Sequence, residues 1–303
     1  MLRFLIPLLL LSAALPSAIA CEMGISQRAE SLTSYVINGR ACLNAPPGEF
    51  RFDPETERRF LNVVNDERAR RGLNRLSLRG DMQPAARFHS LDMGVNGFFG
   101  HESPGGRSHA ERLAAFDRTL LAEGSAENLA QFGPAMCVDQ HGNEVSCALA
   151  PGFKPPTRDL VVADLHRKLM NSEGHRRNIL DPDMTHIALG VARTDTGFYV
   201  TQLFSNVIGA LGQPAPLTFE AGHRVDLEAY VPGWTIANLA LAQGEAMLDL
   251  DFGEIPSGLA GDRGLTVRAE TVEEWQEDLG TRTIVTWIYP TGPLIEIVPA
   301  TGS

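Results

Sequence analysis

The chain of 303 residues predicts an α+β protein: a helical half closed by a β-hairpin, then a smaller β-rich domain. Three observations carry this. Apolar residues recur at helical spacing between Pro54 and Leu180. The period then changes to two, from Ile187 to Phe204. Beyond a Gly/Pro linker at 209–216 only short strand-like runs follow. Helices and strands are segregated rather than alternating, which is not the pattern of a doubly wound βαβ fold.

Residues 1–20 combine one basic residue, an apolar run and Ala18-Ile19-Ala20 before Cys21, as in a secretory signal peptide. Export follows as an expectation, periplasmic or extracellular, with a lipoprotein anchored at Cys21 as the alternative. No later segment is apolar enough to read as a transmembrane span. Four cysteines in an oxidising compartment allow three connectivities. Cys21–Cys42 and Cys137–Cys147 are preferred because each closes a short local loop. Residues 21–50 read as an irregular N-terminal strap.

The first domain is expected over 51–209. Asp53-Pro54 opens a helix with an N-cap residue and a proline at the first helical position; Phe60, Leu61, Val63 and Val64 form its apolar stripe and Gly72 ends it. A second helix carries Met82, Ala86, His89 and Met93 on one face, which makes His89 a core histidine with one nitrogen satisfied. His101 follows in a turn-rich loop. Ser108 and Glu111 have capping-box spacing ahead of Leu113 and Phe116, with His109 solvated on the first turn. Residues 131–158 read as an insertion stapled by the second cysteine pair. Thr157 caps a further helix, which leads into Met170–Leu180, where Ser172 is placed to cap a new helix and His175 lies in its first turn. There the positive end of the helix dipole disfavours an imidazolium, leaving the neutral ring that metal binding or proton acceptance requires. A β-hairpin turning at Asp195-Thr196-Gly197 completes the domain.

The C-terminal domain, 210–303, reads as several short strands of a β-sandwich, with Glu273–Leu279 as a helical turn. The formal charge is −11, and residues 211–303 hold 14 acidic against 4 basic residues. An acidic chain without a basic stripe excludes nucleic acid as a partner. Nucleotide-binding loops, serine-nucleophile elbows and the local zinc motifs are absent.

Two imidazoles and a carboxylate, His101, Glu127 and His175, come from three separate segments. Together they have the donors of an incomplete metal site, with Glu127 as ligand or as base toward a bound water. Five motifs accompany them in order: Asn65-x-x-Arg68, Ala86-x-x-His89-Ser90-x-x-Met93, Phe99-Gly100-His101-x-Ser103, Glu127-Asn128-Leu129-Ala130, and Asn171-Ser172-Glu173-Gly174-His175-Arg176-x-Asn178-Ile179-Leu180. In this order they resemble a bacterial CAP domain, the superfamily of cysteine-rich secretory, antigen-five and pathogenesis-related-one proteins. The likeness runs from about Pro54 to Phe204. It implies a three-layer α-β-α sandwich with a cleft lined by His101, Glu127 and His175. Ser172 or Glu173 falls near the place of a second family glutamate, and Glu173 stands where bacterial relatives usually carry proline. Leu169 in place of a tryptophan, and Ala188-Leu189 in place of Gly-Val, look like packing changes.

The resemblance implies a module binding a lipid, a small molecule or an envelope protein, whose cleft can take zinc or another divalent metal on His101 and His175. A zinc-assisted hydrolase with Glu127 as base is the alternative, and a structural envelope protein is a third reading.

Overall fold

The computed structural model describes residues 20–23, 31–133, 136–138, 144–146, 156–277 and 280–300. The signal segment and the pairing of Cys137 with Cys147 lie outside them. The N-terminal half is built on one sheet. Its central path runs β1 (Arg51–Phe52), β6 (His186–Arg193), β7 (Phe198–Leu211) and β3 (Leu120–Phe132); β2 (Ser77–Leu78) adds to β6 and β9 (Ala229–Tyr230) to β7. β6, β7 and β3 are antiparallel neighbours.

Alternation along β6 sorts the two faces. Ile187, Leu189 and Val191 join a core with Phe60 and Val64 of α2 (Pro54–Ala69), Val161, Leu165 and Leu169 of α5 (Arg158–Asn171), and Ile179 of α6 (Glu173–Leu180). Ala188 and Ala192 face the other way. They meet Leu32, Tyr35 and Val36 of α1 (Leu32–Asn44), Ala86 and Phe88 of α3 (Gln83–Asn96), and Leu113 and Phe116 of α4 (His109–Phe116). The sheet is therefore covered on both faces, the three-layer α-β-α arrangement. The small residues of β6 let α3 approach closely. A Cβ on Gly190 would fall 2.2 Å from the backbone carbonyl of Ala86, and the Ser90 hydroxyl donates to the Gly190 carbonyl at 2.9 Å.

The N-terminal strap is more regular than expected, because it contains α1. Leu32, Tyr35, Val36, Gly39 and Cys42 recur at helical spacing and are buried. The Ser31 side chain caps the helix by accepting from the backbone N–H of Ser34. The predicted Cys21–Cys42 disulfide is formed. Within the insertion, β4 (Met136–Val138) and β5 (Glu144–Ser146) pair as a two-stranded ribbon.

Apart from β9, which joins the first sheet, the described C-terminal strands form one connected sheet rather than the two facing sheets of a sandwich. Its order is β11 (Ala246–Asp249), β10 (Thr235–Gln243), β12 (Gly261–Glu277), β14 (Leu294–Val298) and β8 (Thr218–Glu220), and β13 (Gly280–Ile288) pairs with β12. Glu273 to Glu277 continue β12 instead of forming a helical turn, because each has a cross-strand partner on β13.

This sheet packs on the first domain. Leu121 of β3 and Leu211 of β7 share a core with Val225, Leu241, Leu265 and Ile295. The buried Arg118 guanidinium donates to the Ala215 carbonyl at 3.0 Å and the Pro216 carbonyl at 2.8 Å, and also to the carbonyl of Leu294. Residues 209–211 continue β7, and the Gly212 N–H donates to Glu228, so the Gly/Pro segment is held at both ends. Among the described residues no helix is long and apolar enough to cross a membrane.

Candidate functional site

The site grows from the middle of β3. Glu127 is buried, and both of its carboxylate oxygens are occupied. The Nδ1–H of His101 donates to Oε1 at 2.9 Å, and Nη2 of Arg112 donates to Oε2 at 2.7 Å. The Arg112 side chain is as buried as that of Glu127, each 2% exposed. It reaches the carboxylate from α4, and its Nη1 donates to the backbone carbonyls of His101 and Arg107 at 2.8 and 2.7 Å. One guanidinium thus fixes both the carboxylate and the loop that carries His101.

Burial pushes the Glu127 carboxyl up, but the His101 hydrogen bond and the Arg112 charge outweigh it. The group is held below the usual carboxylate range. The same hydrogen bond raises His101 above the usual imidazole value. His101 itself is 56% exposed, so its Nε2 edge is open to solvent.

His175 sits in the first turn of α6, as expected. Burial lowers it, and the nearby charge on His101 lowers it further. Its ring is therefore neutral at pH 7. What ties it to the carboxylate is amide chemistry. Asn128 donates to the His175 carbonyl at 3.1 Å, and Asn178 donates to Asn128 at 2.9 Å and to the Glu127 carbonyl at 3.2 Å. Two asparagines from the family-like motifs thus pin α6 to β3, which keeps His175 within electrostatic reach of His101. Among the described residues, however, no three His, Cys, Asp or Glu side chains form a group that could hold a metal ion.

Two residues expected at the cleft behave differently. Ser172 holds the N-cap position of α6, but its side chain makes no capping hydrogen bond. Position 172 also ends α5, and its extended backbone joins two helices that follow one another directly. Glu173 is 79% exposed and pairs with Arg177, four residues on. That is the bond a surface helix gives a carboxylate, and it turns Glu173 away from replacing a second cleft glutamate.

Three further groups belong to the site. Arg112 escaped the sequence reading. Its signal was a charged residue four positions before Phe116, on the buried face of a short helix. His89 is the core histidine expected, with Nε2–H donating to the Gly100 carbonyl at 3.0 Å; its Nδ1 is buried without a partner. It also lies 4.0 Å from Glu127 Oε1. His109 is half-buried rather than solvated, and its Nε2–H donates to the Ser125 carbonyl at 3.3 Å.

Burial, and then the Arg112 charge, push His89 down to about 3. The unfolded chain takes up a proton at this position below the ordinary imidazole value, whereas the folded chain refuses it until near pH 3. Stability that is full above about 6.5 is therefore lost as pH falls, at up to ~1.4 kcal/mol per unit. Urea unfolding midpoints measured from pH 7 to pH 4 are expected to fall for the natural protein and to fall much less for His89→Gln. Equal slopes in the two proteins would refute the assignment.

The site is thus a buried, arginine-braced carboxylate beneath an exposed histidine, with the helix of a second histidine pinned to the same strand of an α-β-α sandwich. Residues 61–204, just under half of the chain, match the model of CAP, the cysteine-rich secretory protein family. The chain is 30% identical over 148 residues to the uncharacterized protein YkwD of Bacillus subtilis (strain 168), covering 49% of this chain and 46% of that one. The chain thus spans less than half the length of that relative. Among solved structures it is similar to an extracellular protein containing a SCP domain from Bacillus anthracis str. Ames, with 24% identity, TM-score 0.38, and coverage of 50% of this chain and 41% of the other. It is also similar to an outer surface protein from Borrelia burgdorferi, with 15% identity, TM-score 0.38, and coverage of 50% of this chain and 93% of the other.

Proposed function

We propose that the protein is an exported binding module whose CAP site holds its ligand without turning it over, and that His101 and His175 can take a divalent metal. The observation that carries this is the state of Glu127. A general base needs a free lone pair and a pKa near the working pH. Glu127 is buried, already accepts one hydrogen bond on each oxygen and is held below the usual carboxylate range, which favours bracing His101 over accepting protons.

The donor chemistry fits a divalent ion. The Nδ1–H of His101 is spent on a carboxylate, the outer-shell partner typical of metal-bound histidine, which leaves Nε2 as the ligand nitrogen. His175 supplies a second neutral imidazole. A bound ion would polarise a ligand oxygen as a Lewis acid. Two protein ligands are fewer than the three usual at catalytic zinc, which favours binding over hydrolysis. Export is supported by the Cys21–Cys42 disulfide, a bond of oxidising compartments. That disulfide and a lipid thioether on Cys21 exclude each other.

Zinc titration followed by native mass spectrometry tests the reading. A single-ion adduct is expected, lost in His101→Ala and in His175→Ala and retained in Glu173→Ala. Peptide hydrolysis should stay at background with zinc loaded. Zinc-dependent, chelator-sensitive hydrolysis abolished by both histidine changes would establish the hydrolase instead.

A further inference from the structure

β12 and β13 form an arm that leaves the body of the C-terminal sheet. β10 accompanies β12 only as far as Glu270, and from Thr271 outward β12 has β13 alone beside it. Among the described residues the other edge of β13 has no strand partner. An isolated two-stranded ribbon is marginal in water. This one also exposes Val272, Trp275, Ile284, Val285 and Trp287, with Val272 at 60% and Trp287 at 58%. Cross-strand pairing places Val272 with Val285 on one face, and Trp275 and Ile284 on the other, so neither face is a simple polar exterior. Residues 281–287, Thr-Arg-Thr-Ile-Val-Thr-Trp, are rich in β-branched and aromatic side chains and contain no proline. Edges of this kind pair with another strand unless they are protected.

From this geometry we infer that β13 is the contact of a homodimer, pairing antiparallel with β13 of a second copy to make a four-stranded ribbon. The charge distribution selects that occupant. Glu273 and Glu274 lie on β12, and the only charged residue between 280 and 288 is Arg282. Self-pairing brings the two nearly uncharged edges together and leaves the acidic strands outermost, about 14 Å apart at the usual strand spacing. That exceeds a Debye length at physiological salt, so the acidic strands do not oppose the contact strongly. Centring the two-fold axis on Thr283 gives a Thr283–Thr283 pair, a favourable class of cross-strand neighbour, and sets the β-branched Thr281 and Val285 opposite each other. It also sets Arg282 of each copy beside Ile284 of the other, in the row that holds Glu273 of that other copy.

Sedimentation of the mature protein over a wide concentration range tests this. A reversible dimer is expected, with tryptophan emission shifting to the blue as it forms. Thr283→Pro, which removes a ladder donor from β13, should raise the dissociation constant by about tenfold or more. Arg282→Glu should raise it by about threefold, and adding Glu273→Arg should restore it. The charge reversal and its rescue decide the matter if the proline variant fails to fold by circular dichroism. A monomer at every concentration, or a dimer that is indifferent to the folded arm variants, overturns the assignment.

Discussion

Glu127→Ala is expected to destabilise the folded protein by about 3–5 kcal/mol, because it strands a buried cation. Arg112 is 2% exposed and has no water to fall back on. Its other partners, the carbonyls of His101 and Arg107, accept hydrogen bonds but carry no net charge. The loss is large against the roughly 5–15 kcal/mol by which domains are stable at all. Glu127→Gln should cost less, since one amide oxygen can still accept from Arg112. The decisive variant is the double change Glu127→Ala with Arg112→Met. Removing both charges together leaves no stranded cation, so the double variant should recover most of the loss. Chemical denaturation of the natural protein, the two single variants and the double variant closes the cycle. A loss below about 1 kcal/mol for Glu127→Ala would show that the carboxylate is not structural, and would reopen its role as a free base.

Much of this site was legible in the sequence, and what was not has a physical reason. The spacing of Met82, Ala86, His89 and Met93 is a local property of one helix, so the burial of His89 could be read directly. The helix of residues 32–44 was equally local. Its apolar residues were in register, but the polar run between them masked the period. That the elements carrying His101, Glu127 and His175 adjoin could not be read from spacing. They are a loop, a strand and a helix whose meeting depends on β3 pairing with β7 and on Asn128 and Asn178 bridging β3 to α6. Only the resemblance supplied that. The ion pair of Glu127 with Arg112 was missed for the same reason. A carboxylate beside an asparagine reads as a ligand or a base until the arginine that occupies it is seen, and Arg112 reaches it from a different element. The two-sheet C-terminal expectation failed because strand signals fix where strands are, not which edges pair. β12 is long enough to serve β10, β14 and β13 in turn, which joins one sheet out of runs that would equally fill two.

The Asn65-x-x-Arg68 motif helped carry the resemblance, and the structure gives it a task at some distance from the histidines. Arg68 is fully buried and faces backbone carbonyls rather than an acid. Nε donates to Asn74 at 2.7 Å, Nη1 to Ile179 and Asp181 at 2.9 and 2.8 Å, and Nη2 to Met184 at 3.4 Å. Asn74 lies in the exit from α2 and Ile179 at the end of α6. Asp181 and Met184 follow α6 into the chain that becomes β6. One planar fork therefore fastens the far end of the helix that presents His175. Arg68→Ala is expected to cost about 3–5 kcal/mol, since several buried carbonyls lose their donors at once. Arg68→Lys should recover only a part of that, because a single ammonium on a flexible stem cannot span the same carbonyls. The damage should also be local before it is global. Hydrogen exchange across 173–185 should accelerate in either variant, while the amides of β3 around Glu127 keep their protection. Zinc or ligand affinity should then fall through His175, with the Glu127–His101 pair still intact. Uniform acceleration throughout the domain would mean that Arg68 supports the core as a whole, and unchanged exchange in 173–185 would mean that α6 is held by Asn128 and Asn178 alone.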